Sequence, residues 1–108
     1  MIIREWRGRA SFDKAEAYPQ FFRDNVLPQL RRLSGFLGVH FSRRRLDDAV
    51  EFLVLTRWQS MDAVREFAGP DPETAVVEPG ATGLFLAYDT RVQHYDVIEA
   101  SSSSREDL

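Results

Sequence analysis

His40 and His94 are the two histidines of the chain, and their unperturbed pKa values lie near neutrality. Each stands in an alternating, strand-like run. Either can serve as a general base toward a phenol or a quinol, and either can equally be a hydrogen-bonded structural group. No matched pair of carboxylates accompanies them. Asp96 shares a strand face with His94 but stands about 6–7 Å along it, so no metal site is expected. Trp6 is in the middle of the first alternating run, and its face also carries Arg4, odd company for a purely apolar core. That pairing predicts a cavity wall. Trp58 can stack on a flat substrate or anchor a helix on a sheet, and an indole buries about 150–250 Å² in either role. Tyr18 falls on an apolar helical stripe and can reach a pocket or fill the core. Arg57 and Arg91 can hold an anionic substrate or pair with Glu5, Glu51 or Asp89.

Several chemistries are excluded. The chain has no cysteine, so there is no disulfide, thiolate nucleophile or sulfur-ligated metal. It has no GxGxxG, Walker loop, GxSxG or HExxH, so nucleotide cofactors and serine or zinc hydrolysis lack support, and no cofactor is expected. The basic run Arg43-Arg44-Arg45 is followed by Asp47, Asp48 and Glu51, and net charge is −3. A nucleic-acid footprint is therefore not expected. No apolar run reaches the roughly 18 residues of a membrane span, and no signal-peptide core opens the chain. The expected address is the cytoplasm.

The elements that must position these groups follow from periodicity. At 108 residues one domain is expected over 1–100, with the Ser-rich segment 101–108 a disordered tail. Residues 2–9 alternate as a strand. A helix is predicted over 13–33, opened by Asp13 with Glu16 as a capping box. Its stripe is Ala15, Tyr18, Phe22, Val26, Leu30 and Leu33. Pro19 and Pro28 interrupt it, and a break is predicted near 25–28. Two strands, 35–46 and 50–58, meet at Asp47-Asp48, and the second runs into Trp58-Gln59-Ser60 and a helix capped by Ser60 and stopped by Gly69-Pro70. Residues 81–88 are either a short helix or a covering segment, and 91–98 alternate as the last strand. The order β-α-β-β-α-β is the ferredoxin-like, α+β arrangement with an antiparallel sheet. Val50, Phe52, Val54, Thr56 and Trp58 share one face of the third strand, and Leu53 and Leu55 supply the other. Helices cover only one face of such a sheet, so a second subunit is expected on the other: a homodimer.

The stretches 28–38 (PQLRRLSGFLG), 51–60 (EFLVLTRWQS) and 92–97 (VQHYDV), with Ala63 and Phe67 between, resemble the antibiotic biosynthesis monooxygenase superfamily. That resemblance covers about residues 1–98. It implies a homodimeric α+β barrel with a pocket in each subunit between sheet and helices. Heme-degrading members carry an Asn on the first strand, a Trp on the second helix and a His shortly after. Trp6, Phe67 and about Val77 stand there instead. Oxygenases of aromatic polyketides share the Trp matched by Trp58, but their accompanying Asn and Tyr are replaced by Val54 and Val64. The implied function is a cofactor-independent monooxygenase acting on a small aromatic or quinol-type substrate, with His94 or His40 as base and Trp6, Arg4, Tyr18 and Trp58 lining the pocket. The alternative is a non-catalytic small-molecule-binding or stress-related homodimer.

Overall fold

A computed structural model describes residues 1–102; of the expected tail 101–108, residues 103–108 lie outside them. The chain opens on β1 (Ile2–Ala10). Its period-two pattern buries Ile2, Arg4, Trp6, Gly8 and Ala10 on one face and leaves Ile3, Glu5, Arg7 and Arg9 on the other. Next come β2 (Phe36–Arg45) and β3 (Val50–Trp58). The short strands β4 (Ala87–Tyr88) and β5 (Gln93–Asp96) complete an antiparallel sheet of order β2-β3-β1, with β4 and β5 both on the outer edge of β1. This is the expected α+β architecture. Phe52, Val54, Thr56 and Trp58 of β3 are buried on the helix side, and Leu53 and Leu55 are half-buried on the other.

The last strand is shorter than its alternation suggested. β5 pairs with Ile2–Glu5 of β1 and β4 with Gly8–Arg9, which leaves β1 without a strand partner at Trp6 on that edge. Asp89 occupies the gap. Its carbonyl accepts from the indole nitrogen of Trp6 at 3.0 Å, and its carboxylate accepts from the Arg7 amide at 3.0 Å. The ambiguous 81–88 stretch turns out to be both things: a 3₁₀ turn (Pro79–Leu84) and then β4.

The first helical region starts one residue earlier than expected. Ser11, in extended backbone, precedes α1 (Phe12–Ala15), so Asp13 lies inside the first turn and is not the cap. The region continues as α2 (Ala17–Phe21), a π-helical turn (Phe22–Val26) and α3 (Leu27–Arg31). Pro28 supplies no N–H, and the widened turn lies directly before it. The Asn25 amide reaches back to the Phe21 carbonyl at 3.2 Å. Despite the break, Ala15, Tyr18, Phe22 and Leu30 all point into the core.

α4 (Met61–Ala68) is capped as predicted: the Ser60 hydroxyl accepts from the Ala63 amide at 3.1 Å. Gly69, at φ 91°, ends it. Gly35 has a different reason to be glycine from the helix-stopping one its position suggests. Its φ is not positive, and a Cβ there would lie 2.2 Å from that of Ala63. The absent side chain lets β2 and α4 touch.

Candidate functional site

Between the helices and the sheet lies a cleft of about 560 Å³, open mouth included. That is within the usual range for small-molecule sites. β1 contributes Arg4 and Trp6, β3 contributes Val54 and Thr56, and the broken helix contributes Tyr18, Phe22, Val26 and Leu30. Phe67 of α4 and the segment Val76-Val77-Glu78 close it. The walls form one aromatic assembly. Tyr18 meets Trp6 at 6.2 Å and Phe52 at 5.2 Å between ring centroids, separations typical of attractive ring pairs. Burial pushes the Tyr18 phenol well above its ordinary value, so it stays neutral at pH 7.

Arg4 is 4% exposed. Its Nη1 donates to the Pro72 carbonyl and lies 2.9 Å from His94 Nε2, and its Nη2 donates to the Thr74 carbonyl at 2.7 Å. The guanidinium also lies 5.6 Å from the centre of the Phe67 ring. Among the described residues no carboxylate stands within ion-pair distance of it. Burial pulls its pKa down to about 10, which leaves it charged at pH 7.

Arginine can only donate, so His94 Nε2 must accept. The neutral ring then carries its proton on Nδ1. His94 shares the rung of Arg4 and lies behind it, outside the cleft lining. Its lone pair is engaged by Arg4, which leaves His94 no free base to offer a substrate. Its pKa is lowered, first by desolvation and then by the Arg4 charge, with Glu73 opposing. The unfolded chain therefore binds the proton more readily than the folded one. Stability is fully present above the ordinary value of 6.5 and is lost as pH falls below it. Thermal unfolding midpoints should fall between pH 7 and 5, and the fall should shrink in His94→Gln. An unchanged pH profile in that variant would count against the Arg4–His94 contact.

His40 is elsewhere. It is exposed on the helix-free face, paired across the sheet with Leu55. It does not join Trp6 and Arg4, because β2 presents Val39 and Phe41 to the helices. Trp58 is completely buried beneath the cleft and is not among its lining residues. Its Nε1 donates to Thr56 Oγ1 at 2.8 Å, and its ring stacks at 5.3 Å on Phe67, which in turn underlies Arg4. Arg91 pairs with Asp71 and Glu73 at the surface, and Arg57 makes no ion pair among the described residues. Glu78 is the lining residue sequence reasoning missed. It is the one carboxylate of the cleft wall, and one of its oxygens accepts from Gln29 at 2.7 Å. Its signal was a single acid closing the apolar run 75–77, just before Pro79-Gly80.

Among the described residues no cluster of three or more His, Asp or Glu could hold a metal, and no helix is long and apolar enough to cross a membrane. The heme ligands of the resembling enzymes have no counterpart. Trp6, Phe67 and Val77 do line the cleft, but none ligates iron, and the nearby imidazole is engaged by Arg4. The residues present do not fit a heme.

Comparison with known proteins gives the same architecture. The family model described as antibiotic biosynthesis monooxygenase matches residues 1–78. No curated protein matches the chain. Among solved structures, a Deinococcus radiodurans protein named as a candidate antibiotic biosynthesis monooxygenase superposes with a TM-score of 0.67 at 19% identity, covering 95% of this chain and 98% of that one. A similarly named Bacillus cereus protein gives 0.65 at 14%, covering 94% and 97%. The Mycobacterium tuberculosis heme-degrader MhuD, with two hemes bound in its active site, gives 0.58 at 13%, covering 93% and 99%. At these identities the likeness is one of fold.

Proposed function

The chain belongs to the antibiotic biosynthesis monooxygenase family, and from that premise we propose that it oxygenates a small aromatic or quinol-type substrate in this cleft without a resident cofactor. The observation that carries the reading is the cleft itself, apolar and ring-lined on sheet and helix sides alike. A quinol supplies its own electrons. One oxygen atom of O₂ becomes a ring carbonyl and the other leaves as water, and the four electrons O₂ accepts come from the substrate. The protein's part is to hold the ring among Trp6, Tyr18 and Phe67, to exclude water, and to favour the ionised, electron-rich form. His94 does not fill the role of base in this reading, since its lone pair is engaged. Glu78 is the carboxylate positioned in the wall to take that proton.

The same engagement of His94 favours a second reading, a non-catalytic binding protein of this fold. Oxygen-electrode measurements over a panel of naphthols and naphthoquinols separate the two. The oxygenase reading expects uptake of one O₂ per product formed, faster than autoxidation. No uptake above the spontaneous rate, with ligands still quenching Trp6 fluorescence, leaves the binding reading. In both readings the protein is a homodimer through its helix-free face, where Ile3, Leu53 and Leu55 are half-buried and Arg57 Nε is buried without a partner.

A further inference from the structure

We propose that Arg4 is the anion-recognition residue of the cleft, and that the ligand is an aromatic monoanion: a flat ring system with a carboxylate or phenolate at the Arg4 end and a hydroxyl donor at the Glu78 end. This rests on the reading of the cleft as a small-molecule site and adds the charge and polarity of what enters it.

The argument begins with cost. Removing a charged group from water is expensive unless it is paired, and buried arginines are ordinarily paired with carboxylates. Arg4 is 4% exposed and lines the cleft, yet its neighbours are two carbonyls, a neutral imidazole and the face of Phe67. These groups satisfy hydrogen bonds and leave the positive charge without a counter-charge. Of the five guanidinium hydrogens, three are engaged. Two remain for a ligand in the cleft.

The surroundings hold the fork in place. Pro72 and Thr74 carbonyls fix one side of it, and His94 Nε2 fixes the Nη1 hydrogen that would otherwise turn. His94 is thus a positioning residue. The Nη2–Thr74 and Nη1–Pro72 bonds also tie β1 to the 72–74 backbone, whose continuation, Val76 to Glu78, forms the opposite wall. Glu78 sets the polarity of the site. It is not within ion-pair distance of Arg4 among the described residues, so a ligand can lie between them. A hydroxyl at its end donates to the carboxylate, whereas a second negative charge is repelled by it. That discriminates a monoanion from a dianion.

A purely structural strut makes a different forecast. If Arg4 only ties β1 to the 72–74 backbone, the cleft has no preference between an anion and its neutral isostere.

Calorimetric titration with three compounds tests this: 6-hydroxy-2-naphthoate, its carboxamide and 2,6-naphthalenedicarboxylate. A charge-assisted pair predicts the hydroxynaphthoate binding about 10- to 100-fold more tightly than the carboxamide, with the dicarboxylate weaker than the hydroxynaphthoate. Arg4→Gln should bring acid and amide to within about twofold of each other. If that variant does not fold, the ratio in the native protein decides the matter alone. Positioning by His94 has its own readout. The groups that face it are Arg4 from β1 and Glu73 from the 72–74 segment, itself paired with Arg91. Protonated His94 cannot accept from Arg4, so hydroxynaphthoate affinity should fall from pH 7 to 5.5 while the carboxylate stays ionised. In His94→Gln, whose amide oxygen can accept the same hydrogen, the profile should flatten. Equal binding of acid and amide overturns the anion claim and leaves the small-molecule site standing. Binding of none of the three overturns both.

Discussion

Trp58→Ala should cost about 3–5 kcal/mol, the usual loss for truncating a buried tryptophan. A domain of this size has roughly 5–15 kcal/mol in all, so the variant should be close to unfolded at 37 °C. Three contacts make the indole expensive to lose. It is completely buried, it stacks on Phe67 at 5.3 Å and meets Phe36 at 5.5 Å, and its Nε1 satisfies the buried Thr56 hydroxyl at 2.8 Å. Without the ring, α4 loses its seat on β3 and Phe67 loses the plane beneath it. Urea titrations of the wild type, Trp58→Ala and Trp58→Phe measure the effect. The Phe variant keeps most of the stacking surface and should retain the larger part of the stability. A native-like midpoint for Trp58→Ala would refute the anchoring role. A Phe variant of full stability that no longer bound aromatic ligands would return Trp58 to the substrate's surroundings.

The wild type should sediment as a dimer at micromolar concentration, and Leu55→Asp as a monomer. The half-buried Ile3, Leu53 and Leu55 make an apolar centre on a sheet face that no helix covers. Arg57 Nε is buried there without an acceptor, and Gly38 leaves the guanidinium its room. A stable association through this face should bury at least about 1,200 Å² in total. In a two-fold interface the substitution appears twice, once per copy. Desolvating an unpaired carboxylate costs several kcal/mol, so dissociation constants should rise by about 10²-fold or more. Leu55 is outside the helix-side core, so far-UV circular dichroism should be unchanged. A monomeric wild type would sink the proposal, and a Leu55→Asp dimer would move the interface to another face.

The sequence made the sheet legible because period-two patterns in β1 and β3 are strong and because Ser60 caps α4 where the pattern changes period. It made the edge of β1 less legible. Alternation over 91–98 reads as one strand, and nothing local announces that Asp89 will fill the gap beside Trp6. For the site, Arg4, Trp6 and Tyr18 were legible as residues at odds with an ordinary core, and the structure brings all three to one cleft. The histidines were harder. Their strands could be assigned, but the relative register of β2 and β5 could not, and that register decides that His94 meets Arg4 while His40 turns away. Glu78 escaped because its place in the wall depends on how the 69–78 segment is tied to β1, a contact between residues some seventy positions apart.

The π-helical turn over Phe22–Val26 bears on which insertions and deletions a lineage carrying this fold can accept. Such a turn holds one residue more than the α-helical turn it replaces. A deletion within it would restore a continuous helix and rotate everything beyond by about 100°, swinging Leu30 out of the core and away from the cleft wall. The same deletion in the exposed 46–48 hairpin turn would cost far less. Length variation among relatives should therefore collect at that hairpin and avoid this bulge, whatever else in the two segments is free to drift.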